Sequence, residues 1–158
     1  MNPRTSLVEL RAGGAHDLTS VNRIMQQGFD PRYGEAWNSA QCLAMLALPG
    51  VWLTIARVDA MDAGFALARG VADEAELLLL AVLPGMRRRG IGGALLRSVI
   101  AEARARGARD LHLEMRAGND AAQLYRREGF SKTGERPNYY RGRDGQVFDA
   151  QTYSRKID

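Results

Sequence analysis

The sequence predicts one mixed α/β domain over residues 1–158, and three features of the chain indicate it. Its 158 residues, 46% hydrophobic and 25% charged, have the size and composition of one globular domain. Segments with apolar residues at helical spacing are interspersed with segments in which every second residue is apolar. A nearly unbroken apolar run, "AELLLLAVLP" (75–84), has the length of a central strand buried on both faces and ends at a proline. The expected order of elements is βααβββαβαββ.

The first half of the chain predicts a strand, two helices and a hairpin. "SLVELRAG" (6–13) indicates a short strand, and "HDLTSVNRIMQQGF" follows with helical spacing of its apolar residues. "DPRYGEAW" (30–37) is rich in turn residues and predicts a loop. "NSAQCLAMLALPG" predicts a second helix, because Asn38 or Ser39 would cap it and a Pro-Gly pair would end it. The strands 51–58 and 64–71 then flank the turn sequence "DAMDAG".

The second half of the chain predicts two helices and three strands after the apolar run. A long helix from about Gly90 to Arg106 has one buried apolar stripe. The strand "RDLHLEMR" (109–116) and the helix "NDAAQLYRREG" (119–129) come next. Two final strands lie around "FSKTGERPNYY" and "QVFDAQTYSRKI", with a turn over 142–145 between them.

Composition and targeting signals exclude several classes of protein. The formal net charge of +4 favours a polyanionic ligand without requiring one. Cys42 is the only cysteine, which excludes an intrachain disulfide, and His16 and His112 are too scattered for a metal centre, so we expect no metal. The N-terminal stretch lacks the apolar core of a secretory signal, and no window approaches 18 apolar residues. We therefore expect a cytoplasmic protein with no membrane partner.

The stretch "LPGMRRRGIGGALL" (83–96) combines three arginines, four glycines and the start of a helix. The first backbone N–H groups of a helix lack internal acceptors, and the helix dipole adds partial positive charge there. Glycines let a ligand approach the backbone closely. These features predict a diphosphate site, and the alternative is a glycine-rich helix start with solvated arginines. The spacing matches neither a P-loop nor a dinucleotide-binding fingerprint.

The pattern Arg87-x-x-Gly90-x-Gly92, directly after the apolar strand, resembles the acyl-CoA pyrophosphate loop of the GNAT superfamily of N-acetyltransferases. "LYRREGF" (124–130) looks like the helix-to-strand junction of the same family. Three further stretches narrow the resemblance to the bacterial ribosomal-protein alanine N-acetyltransferases. They are "LEMRAGN" (113–119), "NYY" (138–140) followed by "RDGQVFDA", and the loop "FDPRYGEAW".

This resemblance implies a mostly antiparallel sheet flanked by helices, and acetyl-CoA as the co-substrate. The backbone of one strand would bind the pantetheine arm, and the glycine-rich loop would bind the pyrophosphate. The residues concerned are Leu80, Ala81 and Val82 on the strand, and Arg87, Arg88, Arg89, Gly90, Ile91, Gly92 and Gly93 in the loop. The family's cofactor-binding Asn falls on Asn119 or on Gly118, because Asn119 lies six rather than seven positions before Tyr125.

The resemblance also assigns the reacting groups. Glu114 would be the general base and Tyr125 the general acid, while Trp37, Tyr139 and Tyr140 would wall the slot for the acceptor. Acetyl transfer from a thioester to an amine needs both tasks, because the amine must lose a proton and the leaving thiolate benefits from gaining one.

Each of these side chains also has a purely structural interpretation. Glu114 shares a strand face with His112, opposite Leu111 and Leu113, and a carboxylate there must be solvated, functional or paired with one of the many arginines. Tyr125 would equally suit the core, and the two tyrosines and the tryptophan would equally serve packing.

Taken together, we expect an acetyl-CoA-dependent N-acetyltransferase acting on the α-amine of a protein N-terminus, with a ribosomal-protein alanine as the leading candidate. One alternative is a small-molecule amine acetyltransferase for a polyamine, an amino acid or an aminoglycoside. Another is a non-catalytic acyl-CoA-binding regulatory module. A nucleic-acid partner has little support, because no aromatic residues are interleaved with the arginine run.

Overall fold

The computed structural model describes residues 7–158, and their helices and strands follow the predicted order. Ser6, the first residue of the predicted strand 6–13, lies outside the described residues. The elements are β1 (Val8–Gly13), α1 (Leu18–Gly28), α2 (Ser39–Leu46), β2 (Val51–Val58), β3 (Met61–Val71), β4 (Glu74–Val82), α3 (Ile91–Ala105), β5 (Asp110–Arg116), α4 (Ala122–Arg127), β6 (Ser131–Arg141) and β7 (Val147–Lys156).

The strands form one seven-stranded sheet in the order β1-β2-β3-β4-β5-β7-β6. Neighbouring strands run antiparallel, except for β4 and β5, which are parallel. The helix α3 makes the crossover that a parallel pair requires. The predicted mixed, mostly antiparallel sheet flanked by helices is therefore confirmed.

Two hydrophobic cores lie against this sheet. The first contains the predicted buried stripe of α3, which consists of Ile91, Leu95, Leu96, Val99, Ile100 and Ala103. The second contains the buried residues of α1 and α2, namely Val21, Ile24, Met25 and Cys42. Alternate residues of β2 and β3 belong to the two cores, so helices cover both faces of the sheet there.

The first hairpin is tighter than the sequence predicts. Its turn is only Asp59-Ala60, because both residues adopt left-handed backbone, with φ of 50° and 64°, and close a two-residue turn. The strand β3 therefore begins at Met61, inside the stretch predicted as a turn (59–64).

A side-chain hydrogen bond lies at or before the start of each of the two shorter helices, but only α2 is capped by one. Asn38, one of the two predicted caps, accepts a hydrogen bond of 2.8 Å from the Gln41 amide and begins α2. The helix predicted over 119–129 is shorter, because the Asn119 side chain accepts a 2.9 Å bond from the Ala121 amide and holds a turn before α4.

The apolar strand β4 packs against both cores, as predicted for a central strand, but its alternation is interrupted. Opposite β3, Leu67 pairs with Leu79 and Ala68 with Leu77, so Leu78 is an extra residue. This β-bulge directs two consecutive side chains, Leu78 and Leu79, toward the second core.

Just beyond the bulge, the sheet opens between β4 and β5. The two strands pair only over residues 74–77 and 110–113. Past that point β4 continues beside β3 as far as Val82, and β5 continues beside β7 as far as Arg116. Of the predicted site residues, Leu80, Ala81 and Val82 on β4 and Glu114 on β5 flank this opening.

Candidate functional site

One wall of the opening is the free edge of β4. Leu80, Ala81 and Val82 pair with β3 on one side, and the ladder with β5 has already ended at Leu77. An unpaired strand edge presents backbone donors and acceptors to any extended ligand. These three residues thus offer the backbone groups that the sequence assigned to a pantetheine arm.

The start of α3 adjoins this edge. Gly90 caps the helix with φ of 77°, a left-handed conformation, and a Cβ there would meet no atom within 4 Å. The backbone angle favours glycine at this position, and its missing side chain leaves open space before the helix. The first amides of α3, at Ile91, Gly92 and Gly93, belong to the turn whose donors lack internal acceptors. This geometry suits an anion such as a diphosphate.

The arginine run before the helix divides into two parts. Arg87 turns back and donates a 2.9 Å hydrogen bond to the carbonyl of Gly28, the last residue of α1. Cations are favoured at a helix C-terminus, which explains this contact. Arg88 and Arg89 are exposed beside the glycine cap. The positive field at the loop therefore comes mainly from Arg88 and Arg89, while the Arg87 side chain ties the loop to α1.

Glu114 lies on the opposite wall, near the end of β5. As predicted, His112 shares its face of the strand, and Leu111 and Leu113 are buried on the other. The Glu114 carboxylate is 15% exposed, and its Oε1 lies 2.7 Å from Nε of Arg136 on β6. Glu114 is thus paired with an arginine, which is one of the alternatives that the sequence left open. The pair lies beside the opening, where the proposed general base would act.

Tyr139 and Tyr140 lie beside this carboxylate. Their rings meet edge to face at 5.0 Å, and Tyr139 is half exposed. Burial, and then the charge of Glu114 and a hydrogen bond to it, raise the pKa of Tyr139. β6 loses its regular register between Arg136 and Tyr140, where Asn138 has φ of 54°. This irregular stretch allows Arg136 and Tyr139 both to reach Glu114.

Tyr125 is buried on α4 within the first core. Its ring packs edge-on against Phe130, with centroids 5.9 Å apart. Burial, followed by the charge of Glu35, raises the pKa of Tyr125 well above its ordinary value. The hydroxyl therefore keeps its proton at neutral pH, which a proton donor requires.

Trp37 lies at the end of the 30–37 loop. Its side chain packs against the second core, and its backbone N–H lies 3.2 Å from Sδ of Met25. The structure thus places Trp37 against the second core, and the two tyrosines beside Glu114.

Sequence reasoning missed a charged cluster that joins this loop to the site. Glu35 Oε1 lies 3.2 Å from Nε of Arg116, at the end of β5, and its Oε2 accepts a 2.9 Å hydrogen bond from Nδ2 of Asn119. Asn119 uses both halves of its amide in this way, since its oxygen holds the turn before α4. Gly118 has φ of 85° and forms the turn before it. No spacing pattern signals these contacts, because Glu35 is 81 positions from Arg116.

The described residues contain neither a metal-binding cluster nor a membrane-spanning helix. Between residues 7 and 158, no three side chains of His, Cys, Asp or Glu are grouped so as to hold a metal ion. Within the same range, no helix has both the length and the apolar character needed to cross a bilayer.

The opening thus brings together a helix start suited to an anion, an unpaired strand edge and a carboxylate, which are features that suit an acyl-CoA-dependent transferase. The acetyltransferase (GNAT) domain matches residues 50–132 of the chain. The protein therefore belongs to the GNAT acetyltransferase family, as the sequence motifs indicated.

Individual relatives agree with this assignment. The chain is 46% identical over 85 residues to the ribosomal protein bS18-alanine N-acetyltransferase of Escherichia coli K12, an alignment covering 53% of this chain and 57% of that protein. The corresponding protein of Haemophilus influenzae is 40% identical over 77 residues, covering 49% and 53% of the two chains. The chain thus spans about half the length of the curated relatives it matches.

Structural similarity extends over nearly the whole chain. The crystal structure of the ribosomal-protein-S18-alanine N-acetyltransferase from Escherichia coli superposes with a TM-score of 0.84 and 31% identity, covering 96% of this chain and 95% of that one. Ard1 from Thermoplasma volcanium gives a TM-score of 0.80 and 28% identity, covering 96% and 98%. The fold expected from the sequence resemblance is confirmed.

Proposed function

We propose that this protein transfers the acetyl group of acetyl-CoA to the α-amine of a protein N-terminus, and that the acceptor is the N-terminal alanine of a ribosomal protein. The observation that carries the proposal is the opening between β4 and β5, which sets Glu114 across from the free strand edge and the start of α3. A donor held along one wall would present its thioester to an amine held at the other.

The donor wall fits acetyl-CoA in its chemistry. The amides of Ile91, Gly92 and Gly93 would bind the pyrophosphate, with Arg88 and Arg89 adding positive charge. The free edge of β4 would hydrogen-bond the amides of the pantetheine arm, as a neighbouring strand would.

The acceptor wall supplies the two proton transfers. Glu114 would accept a proton from the ammonium group, and the free amine would attack the thioester carbonyl carbon. A C–N bond forms and the C–S bond breaks, and the departing thiolate takes a proton from the hydroxyl of Tyr125. The attacking nitrogen gives up its second proton, which restores the Tyr125 hydroxyl, and Glu114 releases its proton to solvent, so the products are the amide, CoA and one proton.

An α-amine is the acceptor best matched to a single carboxylate base. The reference pKa of an α-amine is about 7.7–8.0, against about 10.4 for a lysine side chain. A base near neutral pH therefore has about 2.5 fewer pKa units to overcome with an N-terminus. The names of the relatives, which are alanine N-acetyltransferases of a ribosomal protein, support the same acceptor. A ribosomal acceptor would place the reaction in the cytoplasm.

A comparison of acceptors tests the proposal. Radiolabelled acetyl-CoA is supplied with a peptide that begins with alanine and contains one internal lysine, with the same peptide blocked at its α-amine, and with spermidine. We expect label only in the unblocked peptide. Label in spermidine or in the blocked peptide alone would replace the proposal with a small-molecule or lysine acetyltransferase. Tight acetyl-CoA binding with no labelled amine would favour a regulatory module.

A further inference from the structure

The cluster around Arg116 lies at the acceptor side of the opening, and its members are nearly buried. The side chains of Glu35 and Arg116 are 10% and 13% exposed, and the bond from Asn119 completes the contacts of the Glu35 carboxylate. Arg116 stands two residues after Glu114 on the same face of β5. The ion pair therefore joins the 30–37 loop to the strand that carries the candidate base.

Arg116 also holds the loop through an aromatic ring. Its guanidinium lies 3.6 Å from the centroid of the Tyr33 ring, and Tyr33 packs edge-on against Phe148 of β7 at 5.1 Å. A guanidinium stacked on a ring and paired with a carboxylate is a combination that lysine reproduces poorly, because an ammonium group has no planar face.

The backbone of the same loop packs directly against the turn between β6 and β7. The amide of Arg143 donates a 3.3 Å hydrogen bond to the carbonyl of Pro31. A Cβ on Gly34 would lie 1.9 Å from the carbonyl oxygen of Arg141, and one on Gly142 would lie 1.8 Å from that of Arg32. Only glycine at both positions permits this approach of the two backbones.

The position of the loop matters for the reacting groups. Glu35 accepts a hydrogen bond from Asn119, in the turn before the helix of Tyr125, and its charge adds to the rise in the pKa of Tyr125 and of Tyr140. Removing one partner of a nearly buried ion pair leaves the other charge uncompensated, which would drive the loop away from the strand.

We propose that Arg116 is a positioning residue for the acceptor. Arg116 holds the 30–37 loop in place, so that the loop forms the wall of the acceptor slot that faces Glu114. This inference rests on the proposed function, since it assumes that an acceptor amine enters beside Glu114. Arg116 acts through the loop, and the acetyl-CoA site on β4 and α3 does not depend on it.

The test measures acceptor and donor binding separately in three variants. Arg116→Met keeps the aliphatic bulk and removes the charge, Arg116→Lys keeps the charge and loses the stack, and Glu35→Gln removes the charge from the other side. The matched control is Arg106→Met, because Arg106 also stacks on a ring, Trp52 at 4.3 Å, and pairs with a glutamate, Glu102 at 2.9 Å, but at the far end of α3.

We expect Arg116→Met to raise the KM for the acceptor peptide at least about tenfold, since small misplacements of a bound reactant are costly. The fall in kcat should be smaller. The Kd of acetyl-CoA, measured by calorimetry, should stay within about twofold of the original value, because the donor site lies on β4 and α3 and not on the loop that Arg116 holds. Arg116→Lys and Glu35→Gln should raise the KM less, and Arg106→Met should leave it unchanged.

A second readout does not depend on turnover. Trypsin cleavage after Arg32, followed by mass spectrometry, should be faster in Arg116→Met and in Glu35→Gln than in the original protein and in Arg106→Met. An unchanged KM, an equal loss of donor and acceptor binding, or unchanged cleavage after Arg32 would each overturn the positioning role. If the original protein acetylates no peptide, the proposed function fails, and the cleavage rates alone decide whether Arg116 holds the loop.

Discussion

The Arg136 guanidinium forms an ion pair with the Glu114 carboxylate, with Nε 2.7 Å from Oε1. The candidate base thus already has a cation beside it. Arg136 is 62% exposed, so the pair is screened by solvent and is worth no more than about 1 kcal/mol. An arriving ammonium group would compete with this guanidinium for the same oxygen.

We expect Arg136→Gln to lower the acceptor KM by up to about fivefold, which corresponds to losing a competitor worth about 1 kcal/mol. The difference from the original protein should shrink as salt is added, because exposed charges are screened. Steady-state kinetics at two ionic strengths would measure both effects. A higher KM in Arg136→Gln would mean that the guanidinium orients Glu114 or holds the acceptor.

Glu114→Gln should lower kcat by about 10²–10⁴-fold, because it removes proton acceptance while keeping the shape of the side chain. High pH should partly restore the rate, since the amine then arrives already deprotonated. The measurement is a pH series of kcat with an alanine peptide, beside Glu102→Gln as the control on an exposed face of α3. Near-normal kcat/KM for Glu114→Gln below pH 7 would contradict the assignment of the base.

Tyr125→Phe should also lower kcat, but with no recovery at high pH, because the missing proton belongs to the leaving thiolate. The phenylalanine keeps the edge-on contact with Phe130, so the fold and acetyl-CoA binding should be retained. Circular dichroism and calorimetry serve as controls for both. The assignment of the acid is wrong if Tyr125→Phe turns over at the original rate.

The buried phenols also predict an alkaline limit to stability. Burial, before the nearby charge of Glu35, raises the pKa of Tyr125 and of Tyr140 above the ordinary value of 10.0. The unfolded chain then loses these protons at a lower pH than the folded protein, so the free energy of unfolding falls as pH rises above about 10. Thermal melts between pH 8 and pH 11 should show a falling Tm, with a shallower slope in Tyr125→Phe. Parallel slopes in the two proteins would contradict this linkage.

The sequence predicted those parts of the molecule that depend on local pattern. Apolar patterns predict most of the strands and helices, including the buried stripe of α3 and the central strand β4. That the spacing of Arg87, Gly90 and Gly92 forms an anion loop stays a prediction. The parts that it missed depend on contacts between residues that are far apart in the sequence. A run of four leucines gives no sign that Leu78 is a bulge, because the register is set by β3.

The charged cluster around Glu35 was beyond prediction for the same reason. Glu35 lies in a loop of turn residues, and its partners come from β5 and from the turn before α4, 81 and 84 positions later. Arg87 is a residue whose position the motif predicts but whose contact it does not. Its spacing matches the loop, while its side chain bonds the carbonyl at the end of α1.

The last prediction concerns the anion loop and separates backbone strain from charge. Gly90 has φ of 77°, and a Cβ added there would meet no atom within 4 Å, so Gly90→Ala adds strain alone and Gly90→Asp adds strain and a negative charge beside the helix start.

Gly107 is a matched control, because it has φ of 89° and equally open surroundings just past the other end of α3. We expect Gly90→Asp to weaken acetyl-CoA binding by well over tenfold, or more than about 1.4 kcal/mol, and Gly90→Ala to weaken it less. Gly107→Ala and Gly107→Asp should lose similar stability without losing acetyl-CoA affinity. Calorimetric titration of the four folded variants measures these differences, and an unchanged Kd in Gly90→Asp would show that the diphosphate binds elsewhere.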